Sequence, residues 1–174
     1  MMAGIERGKA NRPCMRGRLM STTSVQAHYD GHLGQVYAWM AGGMDAALER
    51  GASELAELGE TASGSGLAVD LGAGFGMHTL PLARNGFRVL AIDTCDVLLD
   101  ALRARREALP IEVVRDDLRT FRRHLSQGAR LILCMGDTLT HLPDDGSVAD
   151  LLADVADALE RGGHFVATLR DYTD

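Results

Sequence analysis

The sequence has little of what marks a secreted, membrane-bound or metal-binding protein. Only three of its 174 residues are cysteine, at Cys14, Cys95 and Cys134, and no pair has CxxC spacing. We therefore expect neither a disulfide framework nor a zinc or other metal site. No apolar run approaches the roughly 20 residues that span a bilayer, and the basic N-terminal residues lack the apolar segment of a signal peptide. These absences predict a cytoplasmic protein with reduced thiols and no membrane partner.

Positive charge is also scarce. The chain carries 18 lysine and arginine residues against 24 acidic ones, and its net charge is −6. Such a chain has no general attraction to nucleic acid or anionic lipid. Hydrophobic residues reach 46%, which is enough for one globular core. We expect a disordered basic tail over residues 1–22, a helical cap over 23–62 and one globular domain over 63–174.

What the chain does contain is an alternation of short apolar runs and helical patterns. The runs are typical of buried strands, and the segments between them space their apolar residues for helices, as at Val97, Leu98, Ala101 and Leu102. Strands and helices that alternate in this way predict an α/β fold with a parallel sheet and right-handed crossovers. The five predicted strands are residues 67–71, 88–92, 111–114, 131–135 and 164–169.

The last helical pattern places both Leu151 and Leu152 on its apolar face. Asp145 or Ser147 is expected to cap the start of this helix, because aspartate and serine accept hydrogen bonds from helix amides. The two glycines at 162–163 are expected to end it, since glycine adopts the left-handed conformation common after helices.

The stretch VDLGAGFG, residues 69–76, is typical of a strand that ends in a glycine loop. In open α/β sheets such loops bind nucleotides at the carboxyl ends of the strands. Gly72 and Gly74 fit the fingerprint of dinucleotide-binding proteins, but Met77 stands where that fingerprint requires its third glycine. Asp93 follows at the distance of an acidic residue that holds ribose. The glycines alone leave a NAD-dependent reductase as an alternative.

Carboxylates separate the two cofactor classes better than the glycines do. Asp70, Asp93, Asp116, Asp117 and Asp137 each come at or just beyond the end of a predicted strand, so they are expected to face one crevice. A carboxylate 4 Å from a pyrophosphate charge costs on the order of 4 kcal/mol at an effective dielectric of 20. S-adenosylmethionine has no phosphate, and its sulfonium and ammonium groups are cationic. The acidic rim therefore favours S-adenosylmethionine.

Five segments in chain order resemble the motifs of class I S-adenosylmethionine-dependent methyltransferases of the small-molecule type. They are DLGAGFG at 70–76, VLAID at 89–93, RDDLR at 115–119, CMGDTLTHL at 134–142 and LERGGHF at 159–165. The resemblance covers about residues 67 to 170. It implies a Rossmann-like three-layer sandwich with a mainly parallel sheet in the order 3-2-1-4-5, and an S-adenosylmethionine-binding domain over 63–174. The implied reaction is methyl transfer to a small-molecule acceptor, and not to a nucleic acid.

The resemblance also implies roles for residues around the first two strands. The backbone of Gly72, Ala73 and Gly74 would approach the methionine part of the cofactor. Asp70 would fix the cofactor's ammonium group, or would only hold the loop. Asp93, followed by Thr94, would bind the ribose hydroxyls.

Further cofactor-binding roles are implied beyond the second strand. Asp117 with the Leu118 amide would meet the adenine edge, with Asp116 as the rival. Met135 and Gly136 would lie near the methyl group.

The remaining implied roles concern the cofactor's cover and the acceptor's proton. Tyr29 would cover the cofactor, or would only pack the N-terminal helices. His141 or Asp137 would remove a proton from the acceptor, or would only brace the turn after the fourth strand.

Members of this family usually have two further strands after the fifth, and this sequence stops at Asp174. Three explanations are open: a fragment of a longer protein, a homodimer that pairs the exposed fifth strand, and a truncated product with weak or no activity. A fragment or truncated form is favoured. A module that binds the cofactor without turnover is therefore the second functional hypothesis.

Overall fold

The computed structural model of the chain describes residues 42–169. The predicted basic tail, part of the predicted cap and Tyr29 lie outside the described residues. Within them, short 3₁₀ turns connect the main elements. In chain order these elements are α1 (Met44–Glu57), β1 (Leu67–Leu71), α2 (Thr79–Arg84), β2 (Arg88–Asp93), α3 (Asp96–Arg105), β3 (Ile111–Arg115), β4 (Ala129–Cys134), α4 (Asp145–Ala158) and β5 (Leu159–Ala167).

The strands form one sheet in the order β3-β2-β1-β4-β5, and every neighbouring pair is parallel. This confirms the predicted strand order and the Rossmann-like fold class. All five residues of the central strand β1 are buried, as its continuous apolar run predicts. Among the described residues, no helix is long and apolar enough to cross a membrane.

Side chains of β1 alternate between two core layers, because successive residues of a strand point to opposite faces. Ala68 packs in a cluster with Leu82 of α2 and residues of α1 and α3. Val69 packs on the other face with Val155 of α4 and with Phe121, which follows β3. The sheet is therefore covered on both faces, and the carboxyl ends of its strands form one rim.

The junction between α4 and β5 differs from the prediction. The helix ends at Ala158, and Leu159 already pairs with Ala129 at the start of β4. The glycines at 162–163 do not end the helix but lie inside β5, where the register against β4 shifts between Ala129 and Leu131. Gly162 has a φ of 81°, a left-handed conformation that suits this irregularity. The predicted strand at 164–169 thus misses the first half of β5 and extends beyond its end at Ala167.

The predicted helix faces also need correction. Neither Asp145 nor Ser147 caps α4 with its side chain: Asp144 does, and its carboxylate accepts a hydrogen bond from the Ser147 amide at 2.7 Å. Leu151 is 1% exposed, but Leu152 is 41% exposed. Val97, expected on the apolar face of α3, is likewise 42% exposed. Adjacent helix residues differ in direction by about 100°, so a residue beside a buried one can face solvent, as Leu152 and Val97 do.

The two leucines of α4 give a matched test of this packing. Leu151→Ala should lower the free energy of unfolding by about 2–5 kcal/mol, because it leaves a cavity against the sheet. Leu152→Ala should lower it by about 0.5 kcal/mol at most, since that side chain is largely solvated. Urea denaturation followed by circular dichroism measures both. Equal losses for the two variants would contradict the orientation of α4.

Candidate functional site

The glycine loop, residues 72–76, connects β1 to α2 across the carboxyl end of β2. The amides of Gly72 and Ala73 both donate to the carbonyl of Ile92, at 2.9 and 3.0 Å. Gly72 and Gly74 have φ values of 81° and 53°, in the left-handed region that side chains disfavour. The loop is therefore fixed in a turn that brings its backbone to the rim of the sheet.

The glycines near the rim differ in how closely other atoms approach them. A Cβ added at Gly72 would lie 2.6 Å from Cγ2 of Thr138, so the loop packs directly against the turn after β4. A Cβ added at Gly74 would meet only Leu98, at an ordinary 3.8 Å, and one at Gly136 would meet no described atom within 4 Å. The backbone is thus less crowded at Gly74 than at Gly72, and it is open at Gly136.

Asp93 ends β2 and ties the loop to the next helix. One carboxylate oxygen accepts the Gly74 amide at 2.8 Å, and the other accepts the Cys95 amide at 2.8 Å. The side chain is half-buried at the rim. A carboxylate offers about four acceptor sites, and these two bonds place one amide donor on each oxygen. Thr94 lies beside it, and its carbonyl accepts a hydrogen bond from Arg115 Nε at 3.2 Å.

Asp70 has a different environment from the one expected of a rim carboxylate. It is 2% exposed, and the Thr79 hydroxyl donates to it at 2.6 Å. Burial raises the pKa of Asp70 above its ordinary value of 3.8, while the neighbouring His78 and the Thr79 hydrogen bond act in the opposite direction. In this geometry Asp70 braces the start of α2 beneath the loop.

Asp116, just beyond β3, is bound by side chains of the turn that follows it. It pairs with Arg123 and with His124, whose Nε2 lies 2.6 Å from the carboxylate, and it accepts the Asp117 amide at 2.8 Å. Burial opposes ionisation of Asp116, but the hydrogen bonds from His124 and Arg123 outweigh burial and hold its pKa well below the usual range.

Asp117 is engaged in a similar way at the start of the 3₁₀ helix Leu118–His124. It accepts the Arg119 amide at 2.9 Å and pairs with the Arg119 guanidinium, whose hydrogen bonds lower the pKa of the carboxyl group. Local cations therefore neutralise two of the five carboxylates expected on the rim. The Leu118 backbone follows directly, so this turn still carries the predicted adenine-binding residues.

The turn after β4 supplies the opposite side of the rim. Met135 is buried, and the Gly136 amide donates to the Thr168 hydroxyl beyond β5 at 2.6 Å. Asp137 precedes the 3₁₀ helix Thr138–His141; its side chain is half-buried, and that of His141 is exposed. Both follow the carboxyl end of β4, as expected, and their catalytic roles stay predictions.

Four residues that build the site were missed at the level of sequence. The Thr79 hydroxyl donates to Asp70, and the Thr138 hydroxyl donates to the Met135 carbonyl at 3.0 Å. Nε2 of His78 lies 2.7 Å from Oε2 of Glu54 in α1. The position of Thr79 at the start of α2, within reach of the preceding strand, was a usable signal. No spacing rule connects His78 with Glu54, because their contact depends on how α1 packs.

Comparisons with known proteins point to one family. A family profile described as a methyltransferase domain matches residues 68–163. A glycine/sarcosine N-methyltransferase from Aphanothece halophytica is 27% identical over 111 residues, which make up 63% of this chain and 42% of that relative. The matched profile contains the glycine loop, Asp93 and the turns after β3 and β4.

Solved structures agree with this match. The glycopeptide N-methyltransferase MtfA has a TM-score of 0.57 at 28% identity, covering 67% of this chain and 52% of MtfA. The magnesium protoporphyrin IX methyltransferase ChlM from Synechocystis PCC 6803 has a TM-score of 0.62 at 17% identity, covering 84% of this chain and 76% of ChlM, and supports the fold alone. The chain thus spans about half the length of MtfA and of the Aphanothece enzyme.

The burial of Asp70 predicts how the free energy of unfolding depends on pH. Because its pKa is higher in the folded than in the unfolded protein, its contribution to stability falls as pH rises from about 3.8 through the raised pKa, and then levels off. Asp70→Asn keeps an acceptor oxygen for Thr79 but cannot titrate. The free energy of unfolding of the variant relative to the natural protein should therefore increase over that interval. Urea denaturation at a series of pH values measures it, and a difference that decreases with rising pH would contradict the assignment.

Proposed function

Because the chain belongs to the methyltransferase domain family, whose profile covers residues 68–163, we propose that it binds S-adenosylmethionine and methylates a nitrogen atom of a small molecule. The observation that carries this proposal is the glycine loop, anchored to the Ile92 carbonyl and to Asp93, with only an ordinary contact from Leu98 at the Gly74 position. The cofactor would lie over the carboxyl rim of the sheet, where ligands of open α/β sheets bind.

The chemistry of the rim fits this cofactor. Vicinal ribose hydroxyls need strong acceptors, and Asp93 is a half-buried carboxylate at the end of β2. A molecule without phosphate needs no arginine clamp, and the arginines beside the rim are engaged: Arg119 with Asp117, and Arg123 with Asp116. Because Asp116 and Asp117 are paired with arginines, they attract a cationic sulfonium less than the sequence predicts. The fit of S-adenosylmethionine therefore depends on Asp93 and the loop backbone.

We propose the following division of roles around the first two strands. Asp93, with Thr94 beside it, binds the ribose hydroxyls. The backbone of Gly72, Ala73 and Gly74 borders the methionine part. Asp70 holds the loop through Thr79 and does not bind the cofactor's ammonium group. Its burial agrees with this role.

The adenine subsite is proposed at the turn after β3. Asp117 and the Leu118 amide are the candidates for the adenine edge. Asp116 orients the turn, because it accepts the Asp117 amide while pairing with Arg123 and His124. Tyr29, outside the described residues, stays the proposed cover of the cofactor.

S-adenosylmethionine supplies, when bound, a methyl group already activated by its attachment to a cationic sulfur. The chain's own task is to orient the acceptor nitrogen and exclude water, and such orientation can contribute about 7–11 kcal/mol. Met135 and Gly136 would border the methyl group. An ammonium acceptor must lose one proton before its lone pair is available, and we propose Asp137 or His141 as the group that takes it.

Nitrogen is proposed as the acceptor atom because of the two relatives above 25% identity. One is a glycine/sarcosine N-methyltransferase and the other a glycopeptide N-methyltransferase. The buried free thiols of Cys95 and Cys134 support the proposed cytoplasmic location.

The residue assignment at β2 is tested by Asp93→Ala. Affinity for S-adenosylhomocysteine, measured by calorimetry, should fall more than tenfold, because the variant loses both the ribose acceptor and the anchor of the Gly74 amide. Asp100→Ala is the control, since this exposed aspartate pairs only locally with Arg103 on α3. Affinity that is unchanged in Asp93→Ala would remove the ribose assignment.

The activity is tested by turnover. The chain is incubated with S-adenosylmethionine and a panel of amines, amino acids and carboxylic acids, and the release of S-adenosylhomocysteine is measured. Release with nitrogen-containing acceptors alone is expected. Binding without release for every acceptor would contradict the activity of this chain, and a melting temperature raised by NAD(H) but not by S-adenosylhomocysteine would contradict the cofactor.

A further inference from the structure

Two parts of the protein hold the glycine loop: strand β2 of the sheet and helix α1. At its start, the loop amides donate to Ile92 and Asp93 of β2. At its end, the chain passes through Met77 and His78 into α2, and these two residues lie against α1. Helix α1 precedes the first strand of the sheet in the chain.

The contact between α1 and the end of the loop is backbone against backbone. Gly51 is a buried residue in the middle of α1. A Cβ added there would lie 2.2 Å from the Met77 carbonyl oxygen and 2.9 Å from its carbonyl carbon. Only a hydrogen atom fits at that place, so the position of α1 determines how far the Met77 peptide can move.

A polar contact one helical turn later fixes the neighbouring residue. Nε2 of His78 and Oε2 of Glu54 are 2.7 Å apart. The His78 side chain is 11% exposed and that of Glu54 is 39% exposed, so the bond is partly shielded from water. The next residue, Thr79, is bonded to Asp70 in β1. The end of the loop is therefore connected to α1 on one side and to the sheet on the other.

We infer that Gly51, Glu54, Met77 and His78 form a loop clasp, through which α1 positions the glycine loop for the cofactor. Glu54 and His78 are positioning residues in this inference, which rests on the proposed function. The clasp holds the loop in its ligand-accepting conformation before binding, so less ordering is needed when a ligand arrives. Cofactor affinity is thereby coupled to the docking of the N-terminal helix.

Two variants at the Glu54 contact and one control variant test the inference. Glu54→Ala should weaken S-adenosylhomocysteine binding roughly fivefold, because the loss of a partly shielded hydrogen bond with a charged partner frees the end of the loop. Glu54→Gln should restore most of the affinity, since its amide oxygen still accepts a bond from the imidazole. Glu57→Ala, an exposed glutamate of the same helix, is the matched control and should leave the affinity unchanged.

A second readout follows the loop itself in the protein without ligand. In ¹H–¹⁵N spectra, the amide signals of Gly74 and Gly76 should shift in Glu54→Ala and stay in place in Glu57→Ala. Gly51→Ala should shift the same signals by pushing on the Met77 carbonyl, although alanine is the better helix former. A merely stabilising role of Glu54 would lower the melting temperature without moving these signals.

The outcomes separate the two proposals. If the natural protein binds S-adenosylhomocysteine and Glu54→Ala binds equally well with unchanged loop signals, the loop clasp is wrong and the proposed function stands. If the natural protein does not bind S-adenosylhomocysteine, the proposed function fails, and the positioning role fails with it. Weaker binding and shifted signals in Glu54→Ala, restored in Glu54→Gln, support the clasp.

Discussion

The bond between the Asp93 carboxylate and the Gly74 amide is the constraint on which the rest of the site depends. It joins the carboxyl end of β2 to the loop after β1, at 2.8 Å, across the centre of the sheet. The turn has left-handed residues at 72 and 74, and the amides of Gly72 and Ala73 also attach it to β2 through the Ile92 carbonyl. The same side chain lies half-buried at the rim, so the residue that shapes the loop is also the one proposed to bind ribose.

Electrostatics at the rim are more local than a row of five aspartates suggests. Asp116 and Asp117 are paired with cations from the turn that follows them, and Asp70 is buried beneath the loop. The expected attraction for a sulfonium group therefore cannot come from five free carboxylates. What distinguishes this site is the combination of a fixed backbone turn, one well-placed acid and a neighbouring turn with an open glycine.

Much of this fold follows from patterns that are short in sequence. The apolar run at 67–71 corresponds residue for residue to β1, because a strand buried on both faces has few alternatives. The prediction that the glycines at 162–163 end the last helix was wrong, because the pairing of Leu159 with Ala129 is a long-range contact that no local pattern encodes. The contact of Glu54 with His78 was unpredictable for the same reason, because it depends on how α1 packs. The partners of Asp116 are near it in the sequence, but their contact depends on how the turn after β3 folds.

A crystal structure of the chain with S-adenosylhomocysteine tests the central claim most directly. The account predicts that both ribose hydroxyls lie within hydrogen-bond distance of Asp93, with the amino-acid part against the backbone at Gly74 and the Gly74–Asp93 bond intact. A ligand bound away from the carboxyl rim, or an Asp93 side chain turned from both the loop and the ribose, would contradict it.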